Sequence, residues 1–173
     1  NEIKTQTNAK TNALHHQLLM NELYKIVQDN TSNKSTNATK CLHQIADAIH
    51  KRSLVMIFSD MLDSLEENEL FLALQHLKHN KHEVVIFHVI DKSKEEDFTF
   101  ENRPYKFVDM ETGEELKLQP NQVKDFYVNK MKERKNHLKL KCAQYKIDLV
   151  EADINEGFHS VLLSYLVKRS KMI

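Results

Sequence analysis

The chain has 173 residues and a mass of 20.4 kDa, a size that suits one domain. Its 25 basic and 25 acidic side chains cancel, so it lacks the basic excess that nucleic-acid binding and membrane-surface binding require. With only 2 Gly residues, it cannot contain a glycine-rich phosphate-binding loop. No apolar run approaches the roughly 20 residues of a membrane-spanning helix. We therefore expect a globular domain that neither binds nucleic acid nor inserts into a membrane.

Residues 1–10 are polar and are expected to form a disordered or frayed leader, so that the domain spans residues 11–173. Neither Cys41 nor Cys142 has a second cysteine or a histidine at a metal-ligand spacing. Both are typical of buried, reduced thiols in a reducing compartment. We therefore expect a cytoplasmic protein.

The first third of the chain predicts two helices and a strand. Apolar positions recur at helical spacing from Asn12 to about Gln28, and a polar loop follows to Thr36. After a second helix, Leu54–Phe58 forms a continuous apolar run. Such a run is typical of a strand that is buried on both faces of a parallel sheet.

The middle of the chain predicts a third helix, a second strand and a hairpin. Ser64 and Glu67 fit a capping box, which marks the start of a helix. Glu83–Ile90 is a second apolar run and predicts another buried strand. Residues 98–118 alternate in polarity around a turn, which predicts an inserted β-hairpin.

The last third of the chain predicts two helices around a short strand. Pro120 is typical of the first turn of a helix, and the long helix that follows is expected to turn Phe126 inward. Ile147–Glu151 predicts the third strand, and a final helix follows. Strands that alternate with helices indicate a three-layer, Rossmann-like α/β fold, in which helices flank a parallel sheet.

Carboxylates follow all three predicted strands. Asp60, Asp91 and Asp153 stand where ligands bind in open parallel sheets, beyond the carboxyl ends of the strands. Carboxylates and hydroxyls together suit a hard cation such as Mg²⁺, but the spacing alone favours Asp60 as a cap of a turn or of the following helix. The oxygen ligands that could join Asp60 are Asp63, Ser59 and a hydroxyl of Ser35 or Thr36.

Histidines recur every third residue at His76, His79 and His82. An i, i+3 pair on a helix could hold zinc, but the lysines between these histidines favour a solvated, basic helix end. His88 lies within an apolar strand and is expected to be a core residue with satisfied hydrogen bonds.

The inserted hairpin carries Arg103 and Tyr105 among several aromatic residues. It either presents these two residues to a protein partner or simply packs over the sheet. The sequence does not separate the two interpretations.

One segment, Lys51–Met61, resembles the signature strand of a bacterial domain-of-unknown-function family that has a von Willebrand factor A-like fold. Genes of this family commonly neighbour a MoxR-type AAA+ ATPase. The resemblance runs from about Leu14 onward and covers the carboxy-terminal two-thirds of the family's domain. Further segments that match in the same order are Ala73–Val85, Asn102–Tyr105, Glu111–Glu114 and Ile147–Asp153.

The resemblance implies a metal-ion-dependent adhesion site built from three loops. In this chain Thr36 matches the second loop and Asp60 the third, with Ser59 and Asp63 as weaker candidates. The first loop of the family, Asp-x-Ser-x-Ser, is absent. The resemblance therefore implies that Mg²⁺ binds in the intact protein and that this chain alone holds no cofactor tightly.

The resemblance also implies a central strand that would precede these elements, and this strand is absent too. Without it, Leu54–Phe58 would lie at an exposed, apolar sheet edge, which invites pairing with another chain. We expect self-association through this edge.

The function that the resemblance favours is a non-catalytic interaction module, an adaptor or assembly factor that works with a MoxR-like ATPase through a Mg²⁺-bridged contact. The alternative is a Mg²⁺-dependent phosphoester hydrolase that uses Asp60 and Asp63. Because no general base or phosphate-binding loop is evident in the sequence, we expect no enzymatic activity. A structural fragment without a ligand is a third alternative.

Overall fold

The structure, a computed structural model, describes residues 3, 5–8, 10–28, 38–50, 52–61, 67–109 and 113–170. The helices are α1 (Ala13–Gln28), α2 (Ala38–Ala48), α3 (Glu67–His79), α4 (Pro120–Gln144) and α5 (Phe158–Ser170). The strands are β1 (Leu54–Ser59), β2 (Glu83–Ile90), β3 (Tyr105–Val108), β4 (Glu115–Leu118) and β5 (Asp148–Asp153), and a π-helical turn spans Lys92–Glu96. None of the helices within these ranges is long and apolar enough to cross a membrane.

Three parallel strands form the main sheet in the order β1–β2–β5. Met56 of β1 pairs with Val85 of β2, and Phe87 of β2 pairs with Val150 of β5. In the chain, α3 lies between β1 and β2, and α4 lies between the hairpin and β5. Strands β3 and β4 form a separate antiparallel hairpin. The predicted α/β fold, a parallel sheet flanked by helices with an inserted hairpin, is therefore confirmed.

Strand β2 supplies the core on both faces of the sheet, because side chains alternate along a strand. Val85 and Phe87 pack on one face against Tyr165 of α5. Val84 and Ile86 belong to a larger cluster on the other face, which draws on α2, α3 and α4. The other buried members of this cluster are Leu42, Ala46, Phe71, Ala73, Leu74, Leu77, Leu138, Cys142 and Ile147.

Strand β1 is not buried on both faces, which corrects the prediction from its apolar run. Val55 and Ile57 pack against the larger cluster. On the opposite face, Leu54, Met56 and Phe58 are 36%, 44% and 68% exposed. The helix on that side, α5, packs against β2 and β5. The coverage of the sheet therefore stops before it reaches β1.

Three further residues differ from the predictions. Phe126 of α4 is 70% exposed rather than turned inward. His82, in the turn between α3 and β2, is buried rather than solvated. Its Nδ1 accepts a hydrogen bond from the Ser53 backbone N–H at 3.1 Å, which joins this turn to the start of β1. Both cysteines are free thiols, but only Cys142 is buried, and Cys41 is half-buried.

The helix α3 offers a matched pair of leucines for testing this packing. Leu74 is buried in the larger cluster, whereas Leu72, two residues earlier, is 56% exposed. Leu74→Ala is expected to lower the free energy of unfolding by about 2–5 kcal/mol, because it removes buried methyl groups and leaves a cavity. Leu72→Ala is expected to change it by less than about 0.5 kcal/mol. Urea unfolding followed by circular dichroism measures both, and equal losses would contradict the assigned face of α3.

Candidate functional site

The carboxyl ends of β1, β2 and β5 meet at one edge of the sheet, where open parallel sheets bind their ligands. At this edge the chain turns immediately after Ser59. The Met61 backbone N–H donates to Ser59 Oγ at 3.0 Å, and Met61 adopts a left-handed φ of 53°. This tight turn leaves Asp60 exposed at the edge.

His88 of β2 supports the same turn from the neighbouring strand. It lies opposite Ser59 in the register, and its Nε2–H donates to the Asp60 carbonyl oxygen at 3.0 Å. Since a carbonyl oxygen only accepts, Nε2 carries a hydrogen, and in the neutral ring Nδ1 keeps a lone pair. That Nδ1 is buried and has no hydrogen-bond partner among the described residues. The predicted satisfied core histidine is therefore only half satisfied.

A cavity of about 20 Å³ lies beside this turn, with Asp60, His88, Glu95 and Arg134 in its wall. Glu95 Oε2, like His88 Nδ1, is buried without a hydrogen-bond partner in the described part of the chain. A cavity of this size has room for about one water molecule, which can donate hydrogen bonds to acceptors of either kind. The cavity is therefore matched to a single water molecule rather than to an organic ligand.

The helix α4 holds the turn and the neighbouring loops together through charged side chains. The Arg134 guanidinium donates to the Met61 carbonyl oxygen. Lys135 Nζ lies 2.7 Å from Glu96 and 2.8 Å from Glu151. Although burial alone lowers the pKa of Lys135, its hydrogen bonds to Glu151 and Glu96 outweigh burial and raise it. This half-buried network connects α4 to the π-helical turn and to β5.

The carboxylates that follow β2 and β5 are joined to each other through Asn155. Asn155 Nδ2 donates to Asp91 Oδ1 at 2.8 Å and to Asp153 Oδ1 at 3.0 Å. Hydrogen bonds from the Ser93 hydroxyl and from Asn155 hold the pKa of Asp91 below its ordinary value. The Asn155 backbone N–H has the largest part in lowering the pKa of Asp153. Both carboxylates therefore stay charged and connect two loops.

The structure describes two of the four predicted metal ligands. Ser59 and Asp60 are adjacent at the sheet edge, whereas Thr36 and Asp63 lie outside the described residues. Within the described ranges, no group of three or more His, Cys, Asp or Glu side chains is arranged to hold a metal ion. The magnesium site at Asp60 stays a prediction.

The two predicted partner-surface residues of the hairpin contact each other. Arg103 Nε donates to the Tyr105 hydroxyl at 3.3 Å and lies 2.9 Å from a Glu101 carboxylate oxygen. Phe98 packs against Tyr127 of α4 with a ring-centroid distance of 4.4 Å. The hairpin therefore has an aromatic core of its own, which joins it to α4. The rings of this core are Phe98, Phe100, Tyr105, Phe107 and Tyr127.

Sequence reasoning missed the residues that stabilise the edge from a distance, namely Arg134, Lys135 and Asn155. One available signal was the spacing of Lys135 and Lys139, which places both on one face of α4, where they bind Glu151. Another was Asp153 just after a predicted strand, because an Asp side chain often accepts from the backbone N–H two residues later in an Asx turn. The Asn155 backbone N–H donates to Asp153 Oδ1 at 3.0 Å, as such a turn requires.

The fold and the site define an α/β protein with an exposed aspartate at the carboxyl edge of a parallel sheet. Residues 2–137, well over half of the chain, match the family described as "Protein of unknown function DUF58". The chain belongs to this family. No curated protein and no solved structure matches the chain. The resemblance to a domain-of-unknown-function family is confirmed, whereas the von Willebrand factor A-like fold and the MoxR gene neighbourhood stay predictions.

Replacing Asn155 with Ala tests the carboxylate network. The variant loses the side-chain hydrogen bonds and keeps the backbone one, so the pKa of Asp91 is expected to rise more than that of Asp153. A lowered acid pKa adds stability that is present at neutral pH and lost as the pH falls through the folded-state value. Asn155→Ala should therefore lose less stability on acidification than the parent protein.

Carboxyl ¹³C NMR titration measures both pKa values in Asn155→Ala. The control is Asn136→Ala, which replaces an exposed residue of α4 and is expected to change neither pKa. Unchanged titration of Asp91 in Asn155→Ala would show that this amide does not stabilise the carboxylate.

Proposed function

We propose that this protein is a non-catalytic protein-interaction module, which acts as an adaptor or assembly factor with a MoxR-type AAA+ ATPase. The observation that supports this proposal is the position of an exposed carboxylate, Asp60, directly after the partly exposed apolar strand β1. Apolar patches rimmed by polar groups are typical of protein contacts. The parallel sheet of the chain is also compatible with a von Willebrand factor A-like domain, which we propose as its fold family.

The contact is proposed to depend on Mg²⁺ in the intact protein. The candidate ligands are Thr36 and Asp60, with Ser59 and Asp63 as weaker ones. Among the described residues, Asp60 fits this role because it is exposed on a turn that hydrogen bonds from His88 and Arg134 support. Mg²⁺ accepts one or two protein carboxylates and keeps several waters, so a carboxylate from the partner can replace one of those waters.

The cytoplasm is the proposed compartment. Cys41 and Cys142 are both free thiols, as expected where thiols stay reduced. Burial raises the pKa of the Cys142 thiol to about 11, which keeps it protonated and unreactive at neutral pH.

Asp60→Ala tests the metal-dependent contact. The variant is expected to abolish Mg²⁺-dependent binding to a purified MoxR-type ATPase from the same organism, because it removes the charged oxygen ligand, whereas the backbone carbonyl of residue 60 can still accept from His88. Surface plasmon resonance with Mg²⁺ and with a chelator measures the effect. The control is Asp125→Ala, which removes an exposed carboxylate from α4. Binding that is indifferent to the chelator would overturn the metal-dependent mechanism.

The hydrolase alternative is tested with the same variants. A generic phosphate ester, assayed with and without Mg²⁺, is expected to show no turnover above the buffer rate. Mg²⁺-dependent turnover that Asp60→Ala removes and Asp125→Ala retains would replace the interaction proposal with the hydrolase that uses Asp60 and Asp63.

The outer edge of β1 is the proposed surface for self-association. β2 pairs with one edge of β1, and within the described residues no strand pairs with the other. The strand contains no Pro or Lys, the residues by which natural edge strands avoid pairing. If a second copy adds its own β1, then Leu54, Met56 and Phe58 of both copies lie side by side on the open face and leave water. A further strand of a complete von Willebrand factor A-like sheet would occupy the same edge.

Phe58→Lys tests this edge. A lysine there is expected to shift the protein from dimer to monomer, because pairing would bring two charges into the apolar face. The control is Phe126→Lys, which adds the same charge at a residue of nearly equal exposure on α4. Light scattering after size exclusion measures the mass across micromolar concentrations. Since Phe58 stacks on Phe87 at 4.6 Å, circular dichroism must show that the variant is folded. A parent protein that is monomeric throughout would contradict the proposal.

A further inference from the structure

A pair of histidines joins α2 to α3, apart from the Asp60 turn. His43 Nδ1 and His76 Nδ1 lie 3.2 Å apart, and the two ring planes are inclined by 42°. At the other nitrogen of the His76 ring, Nε2 lies 3.5 Å from Asp47 Oδ1. His43 and Asp47 also line an open cavity of about 460 Å³. Two imidazoles and a carboxylate thus converge at the contact between the two helices.

Asp47 lies beside the other nitrogen of the His76 ring, and this position favours one of the two tautomers of the ring. A carboxylate beside Nε2 favours the tautomer with the hydrogen on Nε2, so Nδ1 of His76 presents a lone pair to His43. In one arrangement His43 Nδ1–H donates to that lone pair. In the other, both Nδ1 atoms present lone pairs to the same point, and a cation between them satisfies both.

We propose that His43 and His76 form a binding site for a divalent transition-metal ion such as Zn²⁺. At the usual Zn–N distance of about 2.0–2.1 Å, two nitrogens 3.2 Å apart subtend an angle of about 99–106° at the metal, which is close to tetrahedral. Asp47 occupies the position of the carboxylate that commonly orients a zinc-bound histidine through its other nitrogen. The type of ligand and the distance between the two nitrogens are therefore both compatible with a bound Zn²⁺ ion.

This site is open, because the described residues supply fewer than three side chains arranged as metal ligands. The remaining coordination positions of a four-coordinate ion would take water, for which the open cavity has room. Two nitrogens favour Zn²⁺ and Cu²⁺ over Mg²⁺, which prefers oxygen. The site thus differs in both place and metal preference from the site proposed at Asp60.

The experiment is a calorimetric titration of the tag-free protein with ZnCl₂, followed by thermal unfolding with and without the metal. One Zn²⁺ ion per chain is expected to bind and to raise the melting temperature by about 3 °C or more at saturation, because it binds the folded contact and not the separated helices. MgCl₂ is expected to produce neither effect. This pattern keeps the test independent of the Asp60 proposal.

Four variants locate the ion. His43→Gln and His76→Gln are each expected to remove the zinc-induced rise, and Asp47→Asn to weaken binding about tenfold by losing the orienting carboxylate. The control is His79→Gln, which removes an exposed histidine one turn further along α3 and is expected to bind Zn²⁺ as the parent does. Circular dichroism establishes that each variant is folded. Asp47→Asn is the variant least expected to disturb folding, because the Asp47 side chain is largely exposed.

Histidine ¹⁵N NMR gives a second readout, which a structural effect of the variants cannot imitate. Zinc is expected to shift the Nδ1 signals of His43 and His76, whereas the Nε2 signals are expected to remain those of protonated nitrogens. If Zn²⁺ binds the His43→Gln and His76→Gln variants as it binds the parent, or coordinates through Nε2, the assignment is wrong. A parent protein that shows no zinc binding at all would leave the pair sharing a proton and would also overturn the proposal.

Discussion

Strand β2 has to be covered on both sides, because Val84 and Ile86 project from one face of the sheet and Val85 and Phe87 from the other. Burying each such side chain fully is worth about 1.5–3 kcal/mol. The helices meet this demand in two layers, with α2, α3 and α4 on one face and α5 on the other. The position of the candidate site follows from this arrangement, since three parallel strands in register bring their carboxyl ends to one edge of the sheet.

The two layers of helices cover different extents of the sheet. The part that only one layer covers is the proposed interaction surface. The larger cluster extends under β1 through Val55 and Ile57. On the other face, Tyr165 of α5 reaches Phe87, and Phe58 beyond it stays largely in water although it stacks on the same ring. The helix α1 contributes no buried residue to either cluster. Apolar surface that a fold leaves exposed is often buried against another protein, because its removal from water is favourable.

The sequence correctly predicted those features of the fold that depend on the residues of a single segment. The apolar run of β2, the buried face of α3 and the start of α4 at Pro120 all follow from local patterns. The coverage of β1 did not, because an apolar run looks the same whether helices cover one face of a strand or both. Phe126 was misplaced because its helical spacing says which side of α4 it occupies but not whether a neighbour packs there.

The Asp60 turn shows the same limit at the level of the site. A carboxylate after an apolar strand was visible in the sequence, but the groups that support its turn were not. Arg134 lies 73 residues beyond Met61 in the chain, and no local pattern could pair them. Such long-range hydrogen bonds form only after the sheet has brought the segments together, so they depend on the whole fold.

The proposed histidine site bears on the strand that ends at Asp60. In the chain α2 precedes β1 and α3 follows it, so the contact between His43 and His76 joins the helices on either side of this strand. The buried His82 adds a second tie, because it accepts its hydrogen bond from the residue just before β1. A metal ion between His43 and His76 would therefore resist any movement that separates the two helices. Since β1 packs against these helices through Val55 and Ile57, the same ion would limit displacement of the strand and of the aspartate at its end.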